Sequence, residues 1–236
     1  MVLSQGEYKA EGIKFASDLK PLFVSVMLVI YYFFRSLVLR GPVAHLKLVL
    51  GELYYERKFG LSTSGFKISS SKENYHYQAA AYIPVLAVLN NLFPESKQHS
   101  FMDIGCGKGR VMILAGHVGF NTIRGLDLDP ELLNEARTNI NFYSRIHPGK
   151  RFELQQQNAL NLVCPGEACV FFMFNPFGPD VLAGVLDQII RFSARGSFII
   201  YMNPKHADVF RDKGLIPFRF YKRFLYTEAI VYKLNA

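Results

Sequence analysis

Short apolar runs alternate with helical patterns along the second half of the chain. From residue 100 onward, the runs SFMDI, NTIRGLDLD, ACVFFMFNP and GSFIIYMNP have the length and composition of buried strands, and RFELQQQNA is a weaker example. The intervening segments GRVMILAGHV, PELLNEARTNINFYSRI, GPDVLAGVLDQIIRFSA and PKHADVFRDKG predict helices, and PFRFYKRFLYTEAIVYKLN predicts a final hairpin. Strands that alternate with helices predict a doubly wound, mostly parallel α/β sheet.

The stretch before residue 100 predicts a helical lead-in. After Gly41 and Pro42, the segment VAHLKLVLGELYYERKF is amphipathic, and GLSTSGFKISSSKEN is polar and turn-rich, as in a loop or linker. YHYQAAAYIPVLAVLNNLF then resumes a helical pattern that Pro94 ends. We therefore predict an N-terminal segment over 1–40, a helical lead-in over 41–99 and the main domain over 100–236.

Residues 21–34, PLFVSVMLVIYYFF, have Ser25 as the one plainly polar residue and so lack a polar face. A helix over this segment is about 21 Å long, which is shorter than the roughly 30 Å hydrocarbon core of a membrane. Extension through SLVL brings Arg35 and Arg40 within reach of headgroups. We expect a membrane-spanning or membrane-inserted helix over 21–39. A helix buried within the protein or an oligomer and a cleaved signal peptide are the alternatives.

Charge and cysteine content narrow the class of protein. Lys and Arg number 27 against 19 Asp and Glu, which gives a net charge of +8. This charge suits an anionic surface such as a membrane or nucleic acid, or simply solubility. Three cysteines fit a reducing compartment, and the spacing of Cys164 and Cys169 is not that of a zinc pair. No metal site is expected.

The stretch FMDIGCGKGRVMILAG raises the question of which ligand its glycine turn holds. A Walker loop needs Lys followed by Ser or Thr, but Lys108 is followed by Gly109. A dinucleotide fingerprint needs glycine at its sixth position, where this chain has Arg110. The spacing present is G-x-G-x-G preceded by Asp103, an acid that repels a pyrophosphate and suits an ammonium group.

Asp127 lies 24 residues after Asp103, at the end of the next predicted strand. A carboxylate at this place accepts the hydroxyls of a ribose in nucleotide-binding sheets. Asp129 competes for the role, but its position before Pro130 already predicts a helix N-cap. A ribose, a cationic end and no phosphate together indicate S-adenosyl-L-methionine.

DIGCGKGR followed by GLDLDPELLNEAR resembles the first two motifs of class I S-adenosylmethionine-dependent methyltransferases. More narrowly, the chain is similar to an uncharacterised, largely bacterial branch with a Y-x-P-T-P-Y motif, a D-x-G-x-G-K-G-R loop, an N-P-F strand end and a final Y-x-N-P. Tyr77 and Tyr82 match the first motif, with Ala79 and Ala81 in place of its prolines. The resemblance covers roughly residues 70 to 236. It implies a Rossmann-like, seven-stranded methyltransferase sheet with a C-terminal antiparallel hairpin, here preceded by an N-terminal hydrophobic helix.

The resemblance also implies residue roles, all for S-adenosyl-L-methionine as cofactor. Asp103, Gly105 and Gly107 line its methionine end, and Asp127 holds its ribose. The adenine contact that usually follows the third strand falls at Asn158, before Ala159. Tyr77 and Tyr82 close over the cofactor, with core packing as the alternative, whereas Lys108 and Arg110 are expected to be solvated or helix-start residues. The implied cofactor residues are Tyr77, Tyr82, Asp103, Gly105, Gly107, Asp127, Asn158 and Ala159.

Methyl transfer mainly requires that a nucleophile be aligned with a reactive methyl donor. Asn175 ends the strand that faces the expected methyl position, and its amide oxygen with the carbonyl of Pro176 can orient an amine. The motif N-P-F resembles the N-P-P-[YFW] of amino-group methyltransferases, so N-methylation is slightly favoured over O-methylation. The alternative is that Asn175 only caps its strand. His206 and Glu228 are candidate general bases by position alone.

Three readings of function follow, and none names the methyl acceptor. The first is a methyltransferase with a cytoplasmic catalytic domain, membrane-anchored through residues 21–39, acting on a lipid, a quinone-like compound or a membrane protein. The second is a non-catalytic interaction protein that keeps the fold. The third is a nucleic-acid methyltransferase, which the net charge suggests but the lack of a recognition domain and of a basic run disfavours.

Overall fold

The computed structural model describes residues 27, 30–31, 33–64, 66–67, 77–92 and 98–234 of the chain. The chain divides into two compact units, 1–45 and 46–236. Residues 46–99 therefore share a unit with the sheet, and the boundaries expected at 40 and 99 stay predictions.

In the first unit, residues 33–40 are helical. The hydroxyl of Ser36 lies 3.1 Å from Nδ1 of His45 and accepts a hydrogen bond from Arg40 at 3.1 Å. Within the described parts of the chain, no helix combines the length and apolar character needed to cross a membrane. Residues 21–26, 28–29 and 32 of the expected membrane segment lie outside the described residues, so the N-terminal hydrophobic helix is not supported and stays a prediction.

The described strands form one large sheet and one short pair. The pair is β1 (Phe66–Lys67) with β2 (Tyr77–Gln78), antiparallel. The large sheet has the order β5-β4-β3-β6-β7-β9-β8. Its strands are β3 (Ser100–Ile104), β4 (Thr122–Asp127), β5 (Arg151–Gln156), β6 (Cys169–Met173), β7 (Phe198–Met202), β8 (Pro217–Arg223) and β9 (Tyr226–Lys233).

Strands β3 to β7 are parallel, and β9 pairs antiparallel with both β7 and β8. The predicted seven-stranded, mostly parallel sheet with a C-terminal antiparallel hairpin is therefore confirmed. The chain runs from β3 outward to β5 and then returns to β6 on the other side of β3. Strand order thus reverses between β3 and β6, and in such sheets the ligand crevice lies at the carboxyl ends beside that point.

After the helical residues 33–40, the described part of the chain contains six α-helices. They are α1 (Pro42–Phe59), α2 (Tyr82–Asn90), α3 (Arg110–Val118), α4 (Pro130–Ile146), α5 (Pro179–Phe192) and α6 (Ala207–Asp212). Pro130 and Pro179 open their helices, where the missing N–H is no loss because first-turn N–H groups have no intrahelical partner.

Alternation along the buried strands divides the core into two layers. On β6, Val170 and Phe172 face the layer of α2, α3 and α4, whereas Phe171 and Met173 face the layer of α5 and α6. Both faces are covered, which explains why the central strands are continuous apolar runs rather than alternating ones. The sequence did not predict the β1–β2 pair, because its strands have two residues each within a polar segment.

Candidate functional site

The glycine turn, residues 105–109, joins the end of β3 to the start of α3. Gly105, Gly107 and Gly109 have φ values of 81°, 52° and 78°, in the left-handed region that glycine enters without steric cost. The backbone N–H of Gly105 donates to the carbonyl of Leu126 at 2.9 Å, which ties the turn to the end of β4. This is the tight turn that the G-x-G-x-G spacing predicts.

Two of the glycines leave room for neighbouring segments. A Cβ atom at Gly107 would lie 2.3 Å from Cε2 of Tyr77, and one at Gly105 would lie 3.0 Å from Cβ of Pro176. Tyr77 belongs to β2, before α2, and Pro176 follows β6. The turn therefore lies between the lead-in segment and the N-P-F motif, and the structure brings Tyr77, Gly105 and Gly107 together.

Asp127, the last residue of β4, bonds directly to the glycine turn. Its Oδ2 accepts a hydrogen bond from the backbone N–H of Gly107 at 2.8 Å, and its Oδ1 accepts from that of Asp129 at 3.0 Å. Burial raises the pKa of Asp127, although these two hydrogen bonds oppose the rise. Asp129 is the N-cap of α4, as predicted, since its side chain accepts from Glu131 and Leu132.

Asp103 lies on β3 at the floor of the turn and is only 3% exposed. Within the described residues its Oδ2 is buried and has no hydrogen-bond partner. Burial, and then the charge of Asp127, raise the pKa of Asp103 well above its usual range. Lys108, within the turn, pairs with Glu135, its Nζ lying 2.8 Å from Oε2. The floor of the turn is thus an acidic site that a cationic group would stabilise.

Asn158 and Ala159 follow β5 at the same edge of the sheet. The backbone N–H of Gln157 donates to the carbonyl of Asp127 at 3.1 Å, so the ends of β4 and β5 are joined. Oδ1 of Asn158 accepts from the N–H of Leu160 at 3.0 Å and caps a short 3-10 helix, Ala159–Asn161. The Asn158 side-chain carbonyl, which we expect to contact the adenine, therefore also caps a helix. The position of Asn158 after the third strand of the domain did not predict this capping role.

Tyr82 opens α2 and is completely buried. Its ring lies under the guanidinium of Arg110, with the ring centroid 4.1 Å from Cζ. Its hydroxyl lies 3.1 Å from Oγ1 of Thr63 and 3.2 Å from Oε1 of Glu56. The structure gives Tyr82 a packing role, and its contact with a cofactor stays a prediction.

Arg110 is a helix-start residue, one of the two expected alternatives, but it is not solvated. It is 3% exposed, and its guanidinium pairs with Glu52 at 2.7 Å and with Glu56 at 2.9 Å. Both partners lie on α1, more than fifty residues earlier in the chain, so the sequence around Arg110 does not indicate the interaction. The sequence signal lies on α1, where the spacing E-x-x-x-E puts two acids on one face of the helix.

Asn175 follows β6 and is buried with a left-handed φ of 43°. Its Oδ1 accepts a hydrogen bond of 2.5 Å from the hydroxyl of Tyr201 on β7. Asn203 repeats the arrangement after β7, with a φ of 49° and a 2.5 Å hydrogen bond from Tyr226 on β9. Neighbouring strands thus end in the same asparagine turn, and Tyr201 is a residue that the sequence did not assign to the site.

The two candidate bases lie near these turns. The backbone N–H of His206 donates to the hydroxyl of Tyr201 at 3.3 Å, which places His206 beside the Tyr201–Asn175 pair. Glu228 is buried, and its backbone carbonyl accepts from the N–H of Asn203 at 2.9 Å. Neither position assigns a base, and both roles stay predictions.

No family model matches the chain. Short segments are similar to ribosomal protein L11 methyltransferases, with 44% identity over 43 residues to that of Paraburkholderia phymatum and 35% over 66 residues to that of Polynucleobacter necessarius. These segments cover 18% and 28% of this chain and 14% and 19% of the relatives. The chain therefore matches less than a fifth of the length of either relative.

Solved methyltransferases share the fold over most of the chain. A putative RNA methyltransferase from Pyrococcus horikoshii has a TM-score of 0.54 at 13% identity, covering 77% of this chain and 99% of its own. An RNA methyltransferase from Salinibacter ruber, in complex with S-adenosyl-L-homocysteine, has a TM-score of 0.51 at 17% identity, covering 66% of this chain and 94% of its own. At such identities the likeness establishes the Rossmann-like methyltransferase fold and leaves function to the site.

Proposed function

We propose that this protein is an S-adenosyl-L-methionine-dependent methyltransferase. The observation that carries the proposal is the acidic floor of the glycine turn, where a buried carboxylate oxygen of Asp103 has no partner within the described residues. Asp127 adds a second carboxylate, bonded to the N–H of Gly107. A ligand with a cationic amino-acid end and a ribose fits this pair, because a cation favours the ionised form of Asp103 and ribose hydroxyls can donate to Asp127, whereas a diphosphate supplies neither.

Different residues of this chain would contact the methionine end, the ribose and the adenine of the cofactor. Asp103, Gly105 and Gly107 would contact the methionine end, and Asp127 the ribose hydroxyls. Asn158 and Ala159 would lie beside the adenine, and Tyr77 would form a wall over the turn. When bound, the cofactor supplies a methyl group on a sulfonium, which is already reactive, so the protein mainly aligns the acceptor.

Asn175 is the residue we propose to orient the acceptor. The hydroxyl of Tyr201 occupies one lone pair of its Oδ1 at 2.5 Å and fixes the amide plane. The other lone pair, with the carbonyl of Pro176, would accept hydrogen bonds from an amine and hold the nitrogen toward the methyl group. This arrangement favours N-methylation over O-methylation.

A neighbouring residue offers a matched control for Asn175. Asn203 has the same backbone conformation and the same tyrosine hydrogen bond, but it follows the next strand. We expect Asn175→Ala to abolish methyl transfer while it retains cofactor binding, and Asn203→Ala to retain both. Loss of transfer in both variants with intact folding would show that the asparagine turns act on structure rather than on the acceptor.

The proposal is tested by binding and by transfer. Isothermal titration of the full chain with S-adenosyl-L-methionine tests binding, with Asp127→Ala as a variant expected to lose it. Cofactor labelled on the methyl, added to extract that lacks this protein, then shows whether label enters protein, nucleic acid, organic-soluble or small aqueous fractions. Binding without transfer in any fraction would favour the non-catalytic interaction protein, and absence of binding would exclude the enzyme.

We also propose that the protein associates with a membrane surface, because α1 has an apolar outer face. Between residues 46 and 59, five large apolar side chains are 40% to 64% exposed, and Lys47, Arg57 and Lys58 flank them. The acids of this segment, Glu52 and Glu56, instead turn toward Arg110. An apolar strip flanked by cations fits anionic lipids. The five apolar residues are Leu46, Val49, Leu50, Leu53 and Tyr54.

Sedimentation with vesicles tests this association. We expect the full chain to bind vesicles that contain phosphatidylglycerol better than neutral vesicles, and Leu53→Gln to weaken that binding. Val163→Gln is the matched control, since Val163 is also an exposed apolar residue but lies outside α1. Equal binding by both variants would exclude this face as the contact.

A further inference from the structure

Arg110 is the first residue of α3, directly after the glycine turn, and every one of its N–H groups has an acceptor. Nε donates to Oγ1 of Thr63 at 2.7 Å. Nη1 donates to Glu52 at 2.7 Å and to the carbonyl of Ala80 at 2.8 Å. Nη2 donates to Glu56 at 2.9 Å and to Ser64 at 3.0 Å. An arginine side chain has five N–H donors, so the guanidinium is fully satisfied although it is buried.

These acceptors belong to three separate segments of the same unit. Glu52 and Glu56 lie on α1, Thr63 and Ser64 lie in the connection after α1, and Ala80 precedes α2. The guanidinium contacts all three segments at once, and the segments also bond to one another, since Glu56 accepts from the N–H and the hydroxyl of Thr63 and Glu52 accepts from the N–H of Tyr82. Arg110 therefore links the lead-in region to the residue next to the glycine turn.

The connection returns to the turn through Tyr77. Its hydroxyl donates to the backbone carbonyl of Thr63 at 2.6 Å, and its ring lies against Gly107, where no Cβ would fit. Burial raises the pKa of Tyr77 above its ordinary value, so the hydroxyl keeps its proton at neutral pH. Thr63 is thus held by Arg110 and by Glu56, which is itself paired with Arg110, and it holds Tyr77 through its carbonyl.

We propose that Arg110 is a positioning residue of the cofactor site, which acts through Thr63 to hold the ring of Tyr77 against Gly107. The proposal rests on the proposed function, since its effect is measured as cofactor affinity. Arg110 itself does not contact the cofactor in this scheme. Its planar fork of donors holds Thr63, Glu52 and Glu56 at the same time. A lysine, with one ammonium group, cannot reproduce this arrangement.

A purely structural role for Arg110 predicts a different pattern of effects. If Arg110 only stabilises the fold, its replacement lowers the melting temperature and leaves cofactor affinity to the folded fraction unchanged. If it acts through Tyr77, removing the Tyr77 hydroxyl has no further effect once Arg110 is replaced. A double-mutant cycle separates these cases because it measures coupling and not total loss.

The experiment uses the full chain and S-adenosyl-L-homocysteine as the titrant, with melting temperatures measured in parallel. Tyr77→Phe removes one hydrogen bond and is expected to weaken binding about 2- to 10-fold. Arg110→Lys is expected to weaken it at least about 10-fold, since it disturbs several charge-assisted hydrogen bonds. The double variant is expected to bind as Arg110→Lys does. Arg124→Lys is the matched control, because Arg124 pairs with Glu153 and Glu167 on other strands and connections.

Effects that multiply in the double variant would overturn the proposal, as would full affinity of a folded Arg110→Lys protein. If Arg110→Lys does not fold, Glu52→Gln replaces it in the cycle, since that change removes one acceptor of Arg110 and keeps the arginine. Failure of the wild-type protein to bind the titrant would instead refute the proposed function. Wild-type binding with independent effects in the cycle would refute this inference alone.

Discussion

Replacing Asp103 with asparagine is expected to stabilise the ligand-free protein and to weaken cofactor binding. The change keeps the shape of the side chain and removes its charge at a site that is 3% exposed. In the wild-type protein the unfolded chain loses the Asp103 proton near the ordinary pKa of 3.8, whereas burial raises the pKa in the folded protein. Folding stability therefore falls as pH rises from 3.8 to the raised pKa and is constant above it, and asparagine removes this fall.

The size of the two effects follows from ordinary magnitudes. A buried polar group that lacks a partner costs about 1–3 kcal/mol, and the asparagine amide keeps part of that cost. We expect a gain of about 1–2 kcal/mol at neutral pH, which raises the melting temperature by roughly 2–8 °C for a chain of this size. Loss of a charge-assisted contact to a cationic ligand costs about 1.5–3 kcal/mol, so affinity should fall roughly 10- to 150-fold.

Two assays check this prediction. Calorimetric unfolding of both proteins from pH 4 upward should give a stability difference that grows as pH rises toward the raised pKa of Asp103. Titration with S-adenosyl-L-methionine in two buffers of different ionisation enthalpy should show proton release on binding to the wild-type protein, because a bound cation favours the ionised form of Asp103. A less stable Asp103→Asn protein, or one that binds the cofactor as tightly as wild type, would refute the reasoning.

Three further predictions concern the turn and its supports. Gly107→Ala should weaken cofactor binding at least about 10-fold, because its Cβ would lie 2.3 Å from the ring of Tyr77 and φ is 52°; calorimetric titration measures this, and unchanged affinity would contradict it. Asp127→Ala should abolish measurable cofactor binding. The control variant Asp129→Ala should lose only a helix cap, which lowers the free energy of unfolding by about 0.5–2 kcal/mol in chemical unfolding. Equal losses of cofactor affinity in the two variants would show that the ribose role of Asp127 is misassigned. Burial raises the pKa of Glu56, but hydrogen bonds from Thr63 and the charge of Arg110 outweigh burial, so the pKa in the folded protein lies below 4.5. The stabilisation of the fold by the Glu56 carboxylate is therefore complete above pH 4.5 and is lost as pH falls through the folded pKa. Glu56→Gln should flatten the curve of unfolding free energy against pH in this acidic range.

The central sheet was predictable because each signal is local. Strands β3, β6 and β7 are runs of five buried residues between turn residues, and helices α4 and α5 begin at a proline. The glycine turn was predictable for the same reason, since the spacing G-x-G-x-G permits a tight turn between a strand and a helix. Asp127 could be placed at the turn because the carboxyl ends of adjacent parallel strands share one edge.

Residues whose roles depend on distant parts of the chain were not predictable. Arg110 was expected to be solvated or to start a helix, and it does start α3, but its burial against partners on α1 and in the connection after it was not predictable. Tyr201 is the tyrosine of the final Y-x-N-P motif, but its hydrogen bond to Asn175 depends on the pairing of β6 with β7. Asn158 caps its own turn, a local event that competes with the role expected from its place after the third strand.

The buried position of Arg110 also bears on the order in which the molecule assembles during synthesis. Residues 46–64 leave the ribosome well before Arg110, so Glu52 and Glu56 are made without the cation that they later surround. The glycine turn becomes complete only when this early helix returns to meet it. A chain shortened to start at residue 100 would contain the whole large sheet, yet Arg110 would lose all five of its acceptors. The apolar core surface that the lead-in covers would become exposed. Residues 100–236 are therefore expected to misfold when they are expressed without the lead-in, although they contain every strand of the large sheet.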